Sequence, residues 1–478
     1  VTASKEQVTA YLSEWAAGFR LADAPPVVVE RMKALVLDLL RVVAVGAKLP
    51  WSKDARSYAL KLGGKPASTV LWYGDRLDPA RAAFVNGSFA HACDLDDTHV
   101  GSMHHSGAAV LPGVLAMAEK ESASGRALLE AAIVGYEACL RIGLAVQPQL
   151  FHKGFLATAT VGPLGAGLAC GKLMGFKAED LAGTLGSAAT YAGGLAQFYK
   201  SGSVIKRVNA GKAAECGVIA ALLVKDGIWG PRDILEGAAA GFFRAFSDAP
   251  RPEQVTDDLG RGYRLMEVST KVHAGAGRLQ ATNDAGLALA SVHQLTPAQI
   301  ADVEVGIPKV IQGMLTQNDP GDMQSAMLSV PFSLAMALAL GRARGPAAGI
   351  TPADYDDLIG DREVRALSMR VRCAVDPEIE AKTNSEEVPS RVTIRLADGR
   401  TLEEKVDHPR GSPHRPMAWE ETAALFRDTV AGDLPAKSID KVVNLVAGLD
   451  GKSRPRDLAR AFVVPTSARR KVKGGSRK

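Results

Sequence analysis

A chain of 478 residues exceeds one ordinary hydrophobic core, so two or three domains are expected. With 47% apolar and 23% charged residues it has the composition of a globular protein, not of a disordered or fibrous one. Aromatics are only 5% beside 48 glycines, which points to helices packed closely through small side chains. The net charge of +5 is a property of the end alone. The terminal TSARRKVKGGSRK carries six cations (Arg469, Arg470, Lys471, Lys473, Arg477, Lys478) and no acid, and without it 51 bases face 52 acids. A neutral body argues against a nucleic-acid partner, and the tail reads as a solvated end.

The five cysteines (Cys93, Cys139, Cys170, Cys216, Cys373) are scattered and odd in number, without CxxC. That excludes the usual zinc and iron–sulfur spacings and fits a reducing compartment. VTASKEQVTAYLSEWAAGF shows no signal peptide, and MKALVLDLLRVVAVGAKL, interrupted by Asp38 and Arg41, is too short and too charged to span a bilayer. A cytoplasmic location with no membrane contact is the expectation.

In chain order, PPVVVERMKALVLDLLRVVAVG opens on prolines suited to a first helical turn, and its apolar residues recur every three or four. ALLEAAIVGYEACLRIGLAV repeats the pattern, with Glu137 and Arg141 spaced as a helix-face ion pair. ATVGPLGAGLACGKLMG and GKAAECGVIAALLVKDG are rich in Gly and Ala. Gly162, Gly165 and Gly167 lack a preceding strand and a following GK[ST], so close helix packing is a better reading than a phosphate loop. Near residue 300 the texture changes. IADVEVGIPKVIQGM, EVRALSMRVRCAVDPEI and SRVTIRLADGRTLEEKV alternate as strands, the last with an ADGR hairpin turn, and MLSVPFSLAMALALGRA between the first two reads as a helix. After HPRGSPHRPMAWEE the helical pattern returns in ETAALFRDTVAG and KSIDKVVNLVAGL. The expected fold class is mainly α with a smaller α+β domain: a large all-helical domain with an inserted α/β domain. Residues 1–268 form its first helical part, 269–405 the α+β domain, 406–460 the helices that rejoin the first part, and 461–478 a disordered basic tail.

The chemistry concentrates in HACDLDDTHVGSMHHSG, residues 91–107, which holds four of the nine histidines and Asp94, Asp96 and Asp97. A metal cage, an acid/base site and a polar loop are all consistent with that content. Against the metal, His99 stands five and six residues from His104 and His105, not four as in a helical zinc pair.

Four ordered blocks carry a resemblance: NGSFAHACDLDDTHVGSMHHSGAAVLPGVLAMAE, TATVGPLGAGLACGKLMG, KRVNAGKAAECGVIAALL and HPRGSPHRPMAWEE. Together they resemble the MmgE/PrpD family over about residues 5 to 455. The resemblance implies a large helical domain, a smaller α/β domain, a homodimer, a site in the cleft between domains, and chemistry on small polycarboxylates with no cofactor and no metal. Removing a hydrogen beside a carboxylate builds charge on a group already anionic, so such a site needs cations and a proton carrier. Asp94 and His104 match the family's catalytic positions, with Asp94 expected to fix the His104 tautomer and favour imidazolium. Lys206 and Lys271 match its two lysines. Arg207 and Arg278 could reinforce that clamp, and Thr98, His99, His105 and Ser106 are candidate substrate contacts, Ser106 also being a good helix N-cap.

This chain departs from the family pattern at several points. Leu156 stands for the histidine of the GFHATATVGP block and Asn209 for that of KRLHAG; Ala276 and Gly277 occupy the C-R position, Met327 replaces a lysine, and His105 is an added imidazole. The loss at Leu156 leaves room for a one-base reaction such as decarboxylation, with His105, His152 or His273 as substitute groups. The expectation is a cofactor-independent lyase, a dehydratase resembling 2-methylcitrate dehydratase or a decarboxylase, or an isomerase. The alternative is a non-catalytic paralogue that binds a polycarboxylate or serves as an assembly partner.

Overall fold

The computed structural model describes residues 1–198, 203–384 and 387–465. The chain divides into two compact units: Val1–Ala92 with Asp96–Glu267 and the chain from Ala418 onward, and Val268–Met417 with Cys93–Leu95.

The first unit is helical, apart from a two-residue antiparallel pair, Ser68–Thr69 with Arg76–Leu77. At its centre, helices Pro79–Ala90, Ser106–Lys120, Gly125–Val146, Gly162–Leu173 and Lys206–Lys225 pack on one another. Small residues make this possible. A Cβ on Gly211 would lie 2.1 Å from the Phe84 carbonyl oxygen and 2.4 Å from Ser88 Oγ, so the Pro79–Ala90 and Lys206–Lys225 helices cross almost backbone to backbone. Gly165 likewise leaves no room for a side chain, its Cβ position lying 2.1 Å from Cys139 Sγ. The glycines of the 162–167 run serve helix contact. Glu137 and Arg141 form a pair as their spacing predicts, at 2.8 Å, but it is buried. Arg141 donates onward to the carbonyls of Asp257 at 2.6 Å and Gly262 at 2.7 Å, while Glu137 accepts from the Leu265 N–H at 2.9 Å. The Trp419–Val430 helix packs on Pro26–Gly46. Phe462 and Val464 are buried in the same unit, so ordered packing continues past 460; of the expected basic tail, residues 466–478 lie outside the described residues.

The second unit is α+β. Its four-stranded sheet runs Val371–Val375, Ile300–Ile307, Ser390–Leu396, Thr401–Val406, with the first pair parallel and the others antiparallel. Val392, Ile394 and Leu396 are buried as the alternation predicts, and Gly399, at φ +89°, makes the hairpin turn. Helix Gln280–Val292 covers the Ser390–Leu396 and Thr401–Val406 strands and packs on helix Val330–Arg344. One expected strand begins late. EVRALS is the helix Arg362–Ser368, capped by Asp361, whose carboxylate accepts from the Glu363 and Val364 N–H groups, and the strand starts only at Val371.

Gly211→Ala should lower stability by about 1–3 kcal/mol through overpacking. The measure is a lower urea midpoint at unchanged slope; an unshifted midpoint would refute the backbone-to-backbone crossing.

Candidate active site

The segment between helices Pro79–Ala90 and Ser106–Lys120 is polar, and from His91 to His99 every side chain is buried. Two of its non-glycine residues take a left-handed backbone, Asp94 at φ +56° and Met103 at φ +52°. That conformation is costly for a residue such as methionine and recurs at functional sites. The loop closes on itself, since the His99 N–H donates to the His104 carbonyl at 3.0 Å and the His104 N–H returns to the His99 carbonyl at 3.3 Å.

His104 is fully buried. Its Nδ1 lies 3.0 Å from Ser106 Oγ, and among the described residues its buried Nε2 has no hydrogen-bond partner. Burial pushes the imidazole down to about 3, helped by the neighbouring His105, His99 and His91. His104 therefore rests neutral, which corrects the expectation of an imidazolium. The group that orients its ring is Ser106, not Asp94. Ser106 is the first residue of its helix and no cap; Asp97 fills a capping role, accepting from the Gly107 N–H at 2.9 Å.

Beside His104 stands a second imidazole group. His91 Nδ1 lies 2.8 Å and His105 Nδ1 3.4 Å from the same Asp96 Oδ2, and the two rings meet edge to face at 4.8 Å. Burial pushes His91 down to about 4 despite Asp96, and Lys206 adds to that shift. Asp96 stays ionised against its burial, because His91 and His105 hold it well below the usual carboxylate range. Burial pushes Asp97 up to about 6 in spite of the Tyr136 hydroxyl, which donates to it at 2.7 Å. His91, Asp96 and His105 bring ligand atoms within 4.8 Å of one another, a spacing that could hold a metal ion. His99 and His104 belong to no such cluster among the described residues.

The remaining candidates fall as follows. Both nitrogens of His99 serve the loop: Nδ1 accepts from the Ser102 N–H at 3.1 Å and Nε2 lies 3.1 Å from Glu267 Oε2. Both ring nitrogens of His99 are thereby engaged within the protein. Thr98 is 9% exposed. Lys206 and Arg207 begin a 20-residue helix and are buried, at 5% and 1% exposure, where their sequence alone reads as a solvated face. Both stand at the positive end of a helix dipole, where negative charge is favoured. Leu156, in place of an imidazole, is buried and apolar. Of its three possible substitutes, His152 is exposed and His273 is bound at both ring nitrogens, to Asp284 at 2.9 Å and the Ile350 N–H at 3.2 Å. His105 shares Asp96 with His91.

In the second unit, Lys271 is fully buried, and its Nζ donates to the Asp94 carbonyl oxygen at 2.5 Å and lies 3.7 Å from Asp94 Oδ1. Asp94 is thus the partner of a lysine. Half-buried Arg278 donates to Met314 Sδ at 3.5 Å. His91, Asp96 and Tyr136 were not expected in the site; the five-residue spacing of His91 and Asp96 was the available signal.

Comparison with known proteins places these residues in context. Residues 10–255 match the MmgE/PrpD N-terminal domain and residues 273–449 the MmgE/PrpD C-terminal domain. The chain is 30% identical over 470 residues to a cis-aconitate decarboxylase of Aspergillus terreus, covering 94% of each chain. It is 26% identical to the human cis-aconitate decarboxylase, covering 91% of this chain and 90% of that one. It is 23% identical to the mitochondrial 2-methylcitrate dehydratase of Yarrowia lipolytica, covering 77% and 73%. Among the described residues, no helix is long and apolar enough to cross a membrane.

Stability below neutrality should report these buried groups. From pH 6.5 to 4 the unfolded chain binds protons at His91 and His104 that the native state refuses, so both destabilise the fold as pH falls. Asp97 acts oppositely, taking up a proton natively near 6 and only near 3.8 when unfolded. The net loss is on the order of 3 kcal/mol. His104→Gln should flatten the profile of urea midpoint against pH and Asp97→Asn should steepen it; unchanged profiles would contradict the assignment.

Proposed function

The chain belongs to the MmgE/PrpD family and is an enzyme of the lyase class, and from that premise we propose that it decarboxylates a small unsaturated tricarboxylate of the aconitate kind. The reaction proceeds by proton transfer at a carbon next to a carboxylate and needs no cofactor. The observation that carries this reading is the buried, neutral His104 with its open Nε2.

Decarboxylation breaks one C–C bond, and the electron pair left behind moves through the adjacent double bond to a carbon that must receive a proton. One proton donor is enough, which suits a chain with Leu156 where a second imidazole would stand. Lys206 and Arg207 hold carboxylates of the substrate, and their burial strengthens the attraction. Lys271, 3.7 Å from Asp94 Oδ1, is the cation that the second unit offers to a carboxylate. His104 delivers the proton. A bound trianion favours the charged imidazole, so substrate binding itself brings the proton onto a ring that rests without one. The Ser106 hydroxyl fits both states, donating to a neutral Nδ1 and accepting from a protonated one. Asp96 with His91 and His105 buffers the charge beside it.

Dehydration is the second reading, favoured by the likeness to a 2-methylcitrate dehydratase. Incubation with cis-aconitate and 2-methylcitrate in deuterated buffer, followed by NMR, separates the two. The expected result is carbon dioxide release with one deuterium in the product, and a loss of about 10²–10⁴-fold in kcat in His104→Ala. Turnover of neither acid would sink the proposal. Lys206→Met should chiefly raise KM. Binding of an inert tricarboxylate at pH 7 should take up a proton, seen as a buffer-dependent heat that disappears in His104→Gln. A homodimer is also proposed, to be checked by sedimentation.

A further inference from the structure

A second group of metal-ligating side chains lies in the α+β unit and takes no part in the proposed chemistry. Glu387 precedes the Ser390–Leu396 strand, His408 follows the Thr401–Val406 strand, and His414 stands in the next turn. The two strands pair at that end through Ser390 and Val406. The turn is built to fold His414 back: Gly411 takes φ +85°, its N–H donates to the Arg415 carbonyl at 2.9 Å, and the Ser412 N–H donates to the Pro409 carbonyl at 3.0 Å. The rings of His408 and His414 stack at 5.0 Å and 27°. Both aim Nδ1 at one carboxylate, His408 at Oε2 and His414 at Oε1, the latter at 3.1 Å.

We propose that Glu387, His408 and His414 form a binding site for a divalent transition ion of the zinc class. One ligand atom from each lies within 4.8 Å of the others. A tetrahedral zinc with bonds of about 2.0–2.2 Å sets its ligand atoms roughly 3.3–3.6 Å apart, so small side-chain rotations close the set on an ion. Two imidazoles and one carboxylate are a donor set for zinc and its neighbours, not for calcium or magnesium, which prefer oxygen alone. Burial adds to the case. The Glu387 side chain is 3% exposed while the imidazoles are 51% and 49% exposed. A buried carboxylate calls for positive charge, and a dication held between it and the two imidazoles supplies that charge with the fourth position turned to water.

The ion would act as a staple. It would pin the 408–414 turn to the sheet hairpin, and the Gly411 carbonyl of that turn accepts from the Thr270 N–H at 2.9 Å, one residue before Lys271. Its role is to hold the backbone behind that lysine, apart from the proton chemistry of His104.

The test uses the full-length, tag-free chain, freed of metal by a chelator and dialysed. Zinc titrated by calorimetry should bind with a stoichiometry of about one per chain and raise the melting midpoint. Cobalt in its place should give the visible absorption of a four-coordinate ion. His408→Ala, His414→Ala and Glu387→Gln should each lose the tight binding and the midpoint shift; both histidines are half-exposed, so their removal leaves the fold intact, checked by circular dichroism. His91→Gln should still bind. Absence of tight binding, binding retained by all three variants, or binding lost in His91→Gln instead would each overturn the proposal. The readout is metal binding, so it stands or falls independently of the decarboxylase reading.

Discussion

Everything in the first unit turns on a polar loop carried inside an apolar helical body. The segment from His91 to His105 brings imidazoles and carboxylates into surroundings where charge is expensive, and its groups respond in opposite ways. Burial drives the proton from His91 and His104. Asp96 keeps its charge because two imidazoles share it, while Asp97 is driven toward neutrality beside Tyr136. Before substrate arrives the two imidazoles His91 and His104 are thus neutral and Asp96 is ionised, with the cations Lys206 and Arg207 at the start of the Lys206–Lys225 helix. Such a site has most to gain from a small polyanion, which brings the negative charge that the His104 imidazole needs in order to hold a proton.

The tight helix crossings maintain that environment. Gly87, Gly165 and Gly211 let the central helices approach until backbone meets backbone, which excludes water and fixes the ends of the loop. Lys206 and Arg207 are buried at the first turn of the Lys206–Lys225 helix. In the second unit the equivalent care goes to Lys271, fully buried and held by Asp94, with the neighbouring Thr270 clamped by a glycine turn.

Much of this was legible along the chain. The helical repeats, the change of texture near residue 300, the Val392, Ile394, Leu396 alternation and the spacing of Glu137 and Arg141 all rest on local periodicity, which folding preserves. Where expectation and structure part, a competing local or tertiary effect is at work. EVRALS alternates well enough for a strand, but Asp361 caps it into a helix. Ser106 has the right chemistry for a cap, yet its hydroxyl turns to His104 while Asp97, ten residues before Gly107, takes the N–H.

The amino-acid sequence by itself determined the fold class, the family and the concentration of acid/base groups in one short segment, because these depend on residue type and order alone. Only the tertiary structure decided which of those groups keeps its proton. Protonation depends on burial and on neighbours distant along the chain, as between Asp97 and Tyr136 or His99 and Glu267, and no spacing rule in one dimension records the loss of water around an imidazole.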